Sequence, residues 1–240
     1  MTDYRPFWSL WALAAVWFAL LILFWAWPAI DIGFSHLFFA ERACNAGEQA
    51  AVCGNFPLAA NGLLSALRMV LYYLPVVAAI VLIASITVPA LDSKFTWPEA
   101  SRRNRLIVLA VWVIDAGLIV NFILKAHSGR PRPDTTLFFG GSFPFVPAGD
   151  FSGACTSNCS FISGEAASAG WLICLLALAA PSVRRKLSLP VFVLSMATAL
   201  MRVMFGRHFL SDAVLAWLSA PLVFAIAVAL TGWQRRKINP

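Results

Sequence analysis

His208 and Asp212 stand four residues apart in a chain of 240 residues. On a helix that spacing puts both on one face. Asp212 would then accept the proton-bearing nitrogen of His208 and leave the other nitrogen with a lone pair. This fixes the tautomer and suits nucleophilic or general-base catalysis. Arg202 lies six residues earlier and reaches the same place from an adjoining segment. A second stretch, Lys125-Ala-His-Ser-Gly-Arg-Pro-Arg-Pro133, joins the point charge of Lys125 to the planar fork of Arg132, whose backbone is stiffened by prolines. That pairing suits phosphate oxygens. His127 and Arg130 fall inside the stretch as candidate accessory groups. A third stretch, Ser160-Phe-Ile-Ser-Gly-Glu165, reads as a helix start. Ser163 would cap it, and Gly164 would let an anion approach the backbone N–H groups. Glu165 repels phosphate when ionised, but shielded from water it could carry a proton for a leaving oxygen. Each stretch alone has a plainer reading: a capped helix end, a snorkelling basic helix end or an acidic first turn.

These polar groups sit at the edges of long apolar runs, where an isolated charge is expensive. Hydrophobic residues make up 60% of the chain, charged residues only 12%, and the mean hydropathy is +0.79. Soluble domains carry about twice that charged fraction. The composition therefore predicts an integral membrane protein of all-α class. Six spans fit, at about 7–30, 68–91, 106–124, 164–180, 188–206 and 209–231. The first is too long for a cleaved signal core. No polar linker divides the apolar blocks, so residues 1–240 read as one domain.

The net charge of +7 would suggest nucleic acid in a soluble protein. Here it falls mostly in loops, where it sets orientation, and no nucleic-acid partner is expected. Arg5, Lys94 with Arg102, Arg103 and Arg105, Arg184 to Lys186, and Arg235 to Lys237 share one side of a six-span layout. That side, with both termini, is expected to be cytoplasmic. Lys125, Arg130, Arg132, Arg202, Arg207 and His208 lie toward the other side, against the trend, which marks them for function. Cys44 and Cys53 share the first outer loop, and Cys155 and Cys159 the second. In an oxidising compartment both local disulfides and cross-pairing between the loops are open. Cys174, inside span four, reads as a reduced packing residue. Phenylalanines recur through 134–162, which either lies on the headgroups or packs on span ends. Residues 31–43 suggest a short interfacial helix, and Asp115 in span three has no assigned role.

The three stretches resemble the three signature motifs of the type 2 phosphatidic acid phosphatase (PAP2) superfamily. The first, Lys and then Arg-Pro after six residues, matches at Lys125, Arg132 and Pro133. The third, Arg, five residues, His, three residues, Asp, matches at Arg202, His208 and Asp212, with Met201 in place of a Ser. The second is normally Pro-Ser-Gly-His and here reads Ile162-Ser163-Gly164-Glu165. The resemblance implies a six-span helical bundle of PAP2/chloroperoxidase-like type and a phosphohydrolase needing neither cofactor nor metal. Lys125, Arg132, Ser163, Gly164 N–H and Arg202 would bind phosphoryl oxygens. His208, oriented by Asp212, would form a phosphohistidine. Glu165 stands where the family has its acid. Either Glu165 takes that role, or His127 supplies the proton, or activity is weak or absent. The Ser-Gly-Glu variant with nearby cysteines also resembles bacterial relatives of lipid A phosphatases.

The leading expectation is an enzyme that removes a monophosphate from a membrane lipid at the outer face of a bacterial inner membrane. Lipid A, phosphatidylglycerophosphate, phosphatidic acid and undecaprenyl pyrophosphate are the candidate substrates, and no obligate protein partner is expected. Phosphotransfer and a non-catalytic phospholipid-binding role are the alternatives.

Overall fold

The computed structural model describes residues 5–46, 51–91, 99–231 and 233. Lys94, Arg235, Arg236 and Lys237 lie outside the described residues. The first helix, α1 (Arg5–Ala26), stops where Pro28 removes a donor and restricts Trp27. A second helix, α2 (Ala29–His36), follows at 82° to the described part of α1. Two three-residue strands, β1 (Ala40–Arg42) and β2 (Cys53–Asn55), then pair antiparallel. The interfacial helix expected over 31–43 is thus α2 followed by a strand.

Asn61 starts α3 (Gly62–Leu91) by accepting the Leu64 N–H at 3.0 Å. The next span begins as α4 (Glu99–Trp112), continues as a π-helix over Val113–Leu124, and ends in a turn, α5 (Lys125–His127). An α-helix was expected throughout this span. The wider π coil carries Asn121 and leads into Lys125, in keeping with the habit of π segments to occur at functional sites. Three helices complete the chain: α6 (Gly164–Leu175), α7 (Pro181–Met204) and α8 (Leu210–Thr231).

Four helical stretches among the described residues are long and apolar enough to cross a membrane: Gly62–Val88, Ser101–His127, Pro181–Met204 and Leu210–Thr231. The bent α1–α2 pair makes a fifth if it counts as one span. By length and apolar character the described residues thus give four spans, or five with the bent pair, against the six expected. The apolar helix over Gly164–Leu178 is shorter, because its first turn is spent on the site rather than on the bilayer. Large apolar side chains such as Trp11, Phe18, Ile80 and Phe122 face outward, as they do in a bilayer and rarely do in water.

The centre of the bundle is α8, which packs against α1, α4, α6 and α7. Buried Ala166, Ala167, Ala169 and Gly170 give α6 a thin face that lets it approach α8 closely. Asp115, on the π-helix, is buried with Ser219 Oγ at 3.1 Å. Cys174 is buried and unbridged, while Cys44–Cys53 and Cys155–Cys159 form disulfides. Of the loop phenylalanines, Phe139 packs with Phe56 and Phe209 in a cluster bordered by Phe39 and Phe145, while Phe138 and Phe151 are exposed. That cluster caps the end of the bundle where the sequence motifs meet.

Candidate active site

Three chain segments meet at this end. The turn between α7 and α8 is closed by Gly206, whose φ of +66° suits glycine, and an added Cβ there would collide with Phe56. The backbone N–H groups of Arg207 and His208 both donate to the Arg202 carbonyl, at 3.0 and 3.2 Å. This turn fixes Arg202 and His208 relative to each other, which is the physical meaning of their spacing. Ser163 caps α6, accepting the Ala166 N–H at 3.3 Å. Gly164 lies so near Asn121 that a Cβ would come within 2.7 Å of its Oδ1. Only glycine lets the start of α6 sit this close to the π-helix.

A cavity of about 860 Å³ opens beside this junction. Lys125, Arg68, Arg132, Arg202 and Arg207 line it, with Glu165 as the carboxylate among them. Arg202 is 6% exposed, and its Nε is buried without an acceptor. The start of α6 adds the backbone N–H groups and partial positive charge of a helix N-terminus. Away from the cations the cavity continues between α3 and the π-helix, past Tyr72, Pro75, Val76, Val113 and Gly117. One end is shaped for a tetrahedral anion and the other for apolar chains. Phosphate charge spread over several oxygens would meet several fixed cations here.

His208 is 1% exposed and sits behind the cavity wall, close enough for the charges of Arg202, Lys125 and Arg132 to act on it. Its Nδ1 lies 2.8 Å from the Ser160 carbonyl. A carbonyl only accepts, so Nδ1 carries the proton and Nε2 keeps its lone pair. Burial first, then the charges of Arg202, Lys125 and Arg132, holds the imidazole well below the ordinary histidine range. Protonated His208 has no lone pair to attack with, so its loss of activity comes only as pH falls through this lowered value. The acid limb of kcat/KM, corrected for the second ionisation of the substrate phosphate, is expected clearly below pH ~6.5. A limb at or above that value would contradict the buried neutral imidazole.

Asp212 does not touch the ring, contrary to the direct pairing expected from the four-residue spacing. Its Oδ2 accepts Ser160 Oγ–H at 2.5 Å and Phe209 N–H at 2.9 Å. Asp212 therefore reaches His208 through Ser160, which answers the carboxylate with its hydroxyl and the imidazole with its carbonyl. The other oxygen, Oδ1, accepts from Arg130 Nη1 at 2.6 Å. Arg130 is fully buried behind the histidine, over the ring of Phe209, and not in the cavity. Its Nη2 donates to Asp31 at 2.7 Å, and Asp31 also accepts Ser211 N–H and Oγ–H at 2.8 and 2.6 Å. Arg130, expected as an accessory group, supports the two aspartates from behind the site.

His127 is exposed and bonds back to the Ile123 carbonyl at 2.8 Å on its own helix, away from the cavity, so it is misplaced to supply a proton there. Glu165 does face the cavity. Its oxygens accept from Arg68 Nε and Nη2, at 3.1 and 2.5 Å, and its Oε1 lies 3.3 Å from Arg202 Nη1. Arg68, Asp31, Ser160 and Ser211 are additions that the sequence did not point to. The Arg68 and Asp31 side chains arrive from α3 and α2, 97 and 180 residues from the partners they meet at Glu165 and Ser211. Only the presence of a charge inside an apolar run could have flagged them.

The profile of the PAP2 superfamily matches residues 106–236. The chain is 46% identical over 224 residues to the lipid A 4'-phosphatase of Rhizobium etli, covering 93% of this chain and 87% of that protein. It is 44% identical over 225 residues to the lipid A 4'-phosphatase of Rhizobium leguminosarum, covering 93% of this chain and 97% of that one. The lipid A 4'-phosphatase of Francisella tularensis subsp. novicida is 30% identical over 222 residues, covering 86% and 93%. Among solved structures, the transmembrane PAP2 type phosphatidylglycerolphosphate phosphatase from Bacillus subtilis superposes with a TM-score of 0.60 over 98% of this chain and 99% of that one. At 18% identity that likeness speaks for the fold.

Proposed function

This chain belongs to the PAP2 superfamily and is a bacterial membrane lipid phosphatase, and on that premise we propose that it cleaves the phosphate monoester of a lipid A-type substrate through a phosphohistidine on His208. The observation that carries the reading is the basic cavity of Lys125, Arg132, Arg202 and the α6 start beside a buried neutral imidazole. The substrate class is argued from the relatives named above and from the apolar continuation of the cavity, which accepts a lipid arriving from the side. Residues 1–240 act as one domain.

The phosphate exchanges water for Lys125, Arg132, Arg202 and the first amides of α6. These groups stabilise charge on the equatorial oxygens as His208 Nε2 forms a bond to phosphorus and the lipid oxygen leaves. The leaving oxygen needs a proton. In the ligand-free site Glu165 faces the cavity, accepts from Arg68 and pairs with Arg202. The incoming phosphate competes for Arg202, and Glu165, facing the cavity, relays a proton from solvent toward the leaving oxygen. That proton passes to the lipid oxygen. The resulting carboxylate then takes a proton from water as the water oxygen displaces the Nε2–phosphorus bond, releasing inorganic phosphate.

Glu165→Gln should therefore lower kcat about a hundredfold on a lipid alkyl phosphate and hardly at all on p-nitrophenyl phosphate, whose leaving group needs no proton. Equal losses on both substrates would remove Glu165 from this role. Phosphate release in detergent from lipid A, phosphatidylglycerophosphate, phosphatidic acid and undecaprenyl pyrophosphate tests the substrate class. Preference for a lipid other than lipid A would overturn that part of the reading.

The protein sits in the inner membrane with the site facing the periplasm and both termini in the cytoplasm. Arg102, Arg103 and Arg105 belong to the first turns of α4, and Lys125 ends the same long rod. Arg184 to Lys186 open α7, and Arg202 lies in its last turn. The basic clusters and the clamp thus occupy opposite ends of two helices, which supports this orientation.

A further inference from the structure

Arg132 borders two cavities, the main one and an outer one of about 350 Å³ that it shares with Cys155, Asn158 and Arg207. A long cation between two open spaces has many rotamers, and fixing one of them before the phosphate arrives lowers the cost of binding and catalysis. The fixing bonds are present. Arg132 Nε donates to the Asn158 carbonyl at 3.1 Å, and Nη2 donates to Asn158 Oδ1 at 2.6 Å. Nη1 and one Nη2 hydrogen remain for phosphate oxygens.

Asn158 holds this pose from a left-handed backbone, φ +50°, which asparagine tolerates better than most residues. It sits inside the short ring closed by the Cys155–Cys159 disulfide. The ring is laced to the first motif. Cys155 N–H donates to the Gly129 carbonyl at 2.8 Å, and Cys159 N–H to the Lys125 carbonyl at 3.4 Å. Ser160, the next residue, donates its N–H to Arg130 at 2.8 Å and gives its own carbonyl to His208. One covalently closed loop therefore touches the Arg132 side chain and the Lys125 backbone, and it adjoins the residue that orients the nucleophile.

We propose that the disulfide-closed loop Cys155–Cys159 is a positioning device for the phosphate clamp, with Asn158 as the residue that holds Arg132, so that full activity requires the oxidised loop. The proposal rests on the phosphatase reading above. Asn158 also borders the main cavity, and in this proposal both it and the cysteines act by holding Arg132 rather than by binding the phosphate.

The test uses the full chain in detergent micelles, with lipid A as substrate and inorganic phosphate as competing product. Asn158→Gly keeps the backbone permissive and deletes the side-chain acceptor. It is expected to raise KM for lipid A and the inhibition constant of phosphate about tenfold, the size of one hydrogen bond to a charged group, with a smaller fall in kcat. Asn158→Asp, which keeps an acceptor and tolerates the same backbone, should restore most of the affinity. In an Arg132→Lys background, Asn158→Gly should cost nothing further, because the fork it held is gone. Reduction of the wild type should reproduce the rise in KM. The Cys155→Ser/Cys159→Ser double variant should start from that raised KM and ignore reductant, while Cys44→Ser/Cys53→Ser should stay sensitive to it. Unchanged KM in Asn158→Gly and in the reduced wild type, or an equal Asn158→Gly penalty in both backgrounds, overturns the proposal alone. A wild type that releases no phosphate from any lipid overturns the phosphatase reading and this proposal with it.

Discussion

His208→Ala is expected to lower kcat for phosphate release by roughly 10⁴-fold or more, with the protein still folded and still binding phosphate. The reason is geometric. Nδ1–H is committed to the Ser160 carbonyl at 2.8 Å, which leaves Nε2 its lone pair, and the charges of Arg202, Lys125 and Arg132 act on the ring. Alanine removes the nucleophile and leaves Lys125, Arg132 and Arg202 in place, so the inhibition constant of inorganic phosphate should change little. His208→Asn makes the same point with a residue closer in size. Rapid quenching of the wild type with phosphorus-labelled lipid should trap label on the protein in a form that acid removes and alkali does not. Substantial turnover by His208→Ala, or label that survives acid, would sink the phosphohistidine mechanism.

Arg130→Ala is expected to be the most destabilising single change in the chain, by about 3–5 kcal/mol. Arg130, Asp31 and Asp212 are each fully buried, and the guanidinium is the cation between the two carboxylates. Removing it strands two negative charges where water does not reach. It also frees Asp212, and through Ser160 the nucleophile, so activity should fall together with thermal stability in detergent. Such a variant can fail simply by not folding, and a double variant separates the causes. If stranded charge is the damage, Asp31→Asn in the Arg130→Ala background removes one of the two carboxylate charges and should recover part of the lost unfolding temperature. A double variant less stable than Arg130→Ala alone would show that packing, not charge, governs this site.

Much of the site was legible because it is written in local spacing. Four residues on a helix, five across a tight turn and a capped Ser-Gly start are short-range rules, and Arg202, His208, Ser163 and Gly164 obey them. The His208–Asp212 bond was read wrongly for the same reason: helical spacing places side chains near one another but does not say which acceptor wins. Here the Ser160 carbonyl wins, and a backbone group leaves no mark in a residue pattern. Asp31 and Arg68 were missed because their partners lie far off in sequence. The apolar runs gave the membrane class, yet hydropathy has no term for an 82° break at Pro28 or for a π coil over Val113–Leu124. The helix at Gly164, read as the fourth span, has a shorter apolar stretch than the others because Ser163, Gly164 and Glu165 at its start serve the site.

The contact between Asp31 and Ser211 joins residues 180 positions apart. The indole N–H of Trp17 likewise reaches the Leu215 carbonyl at 2.9 Å, fastening α1 to α8. In the order of synthesis, α1 and α2 leave the ribosome long before α8 exists. Asp31 therefore waits through most of translation as a carboxylate without its final partners, and the nucleophile's support is assembled only when the last helix slots in beside the first. A chain cut short before α8 would lack Ser211 and Asp212 and be inactive, and one cut before Arg130 would also leave Asp31 without its cation.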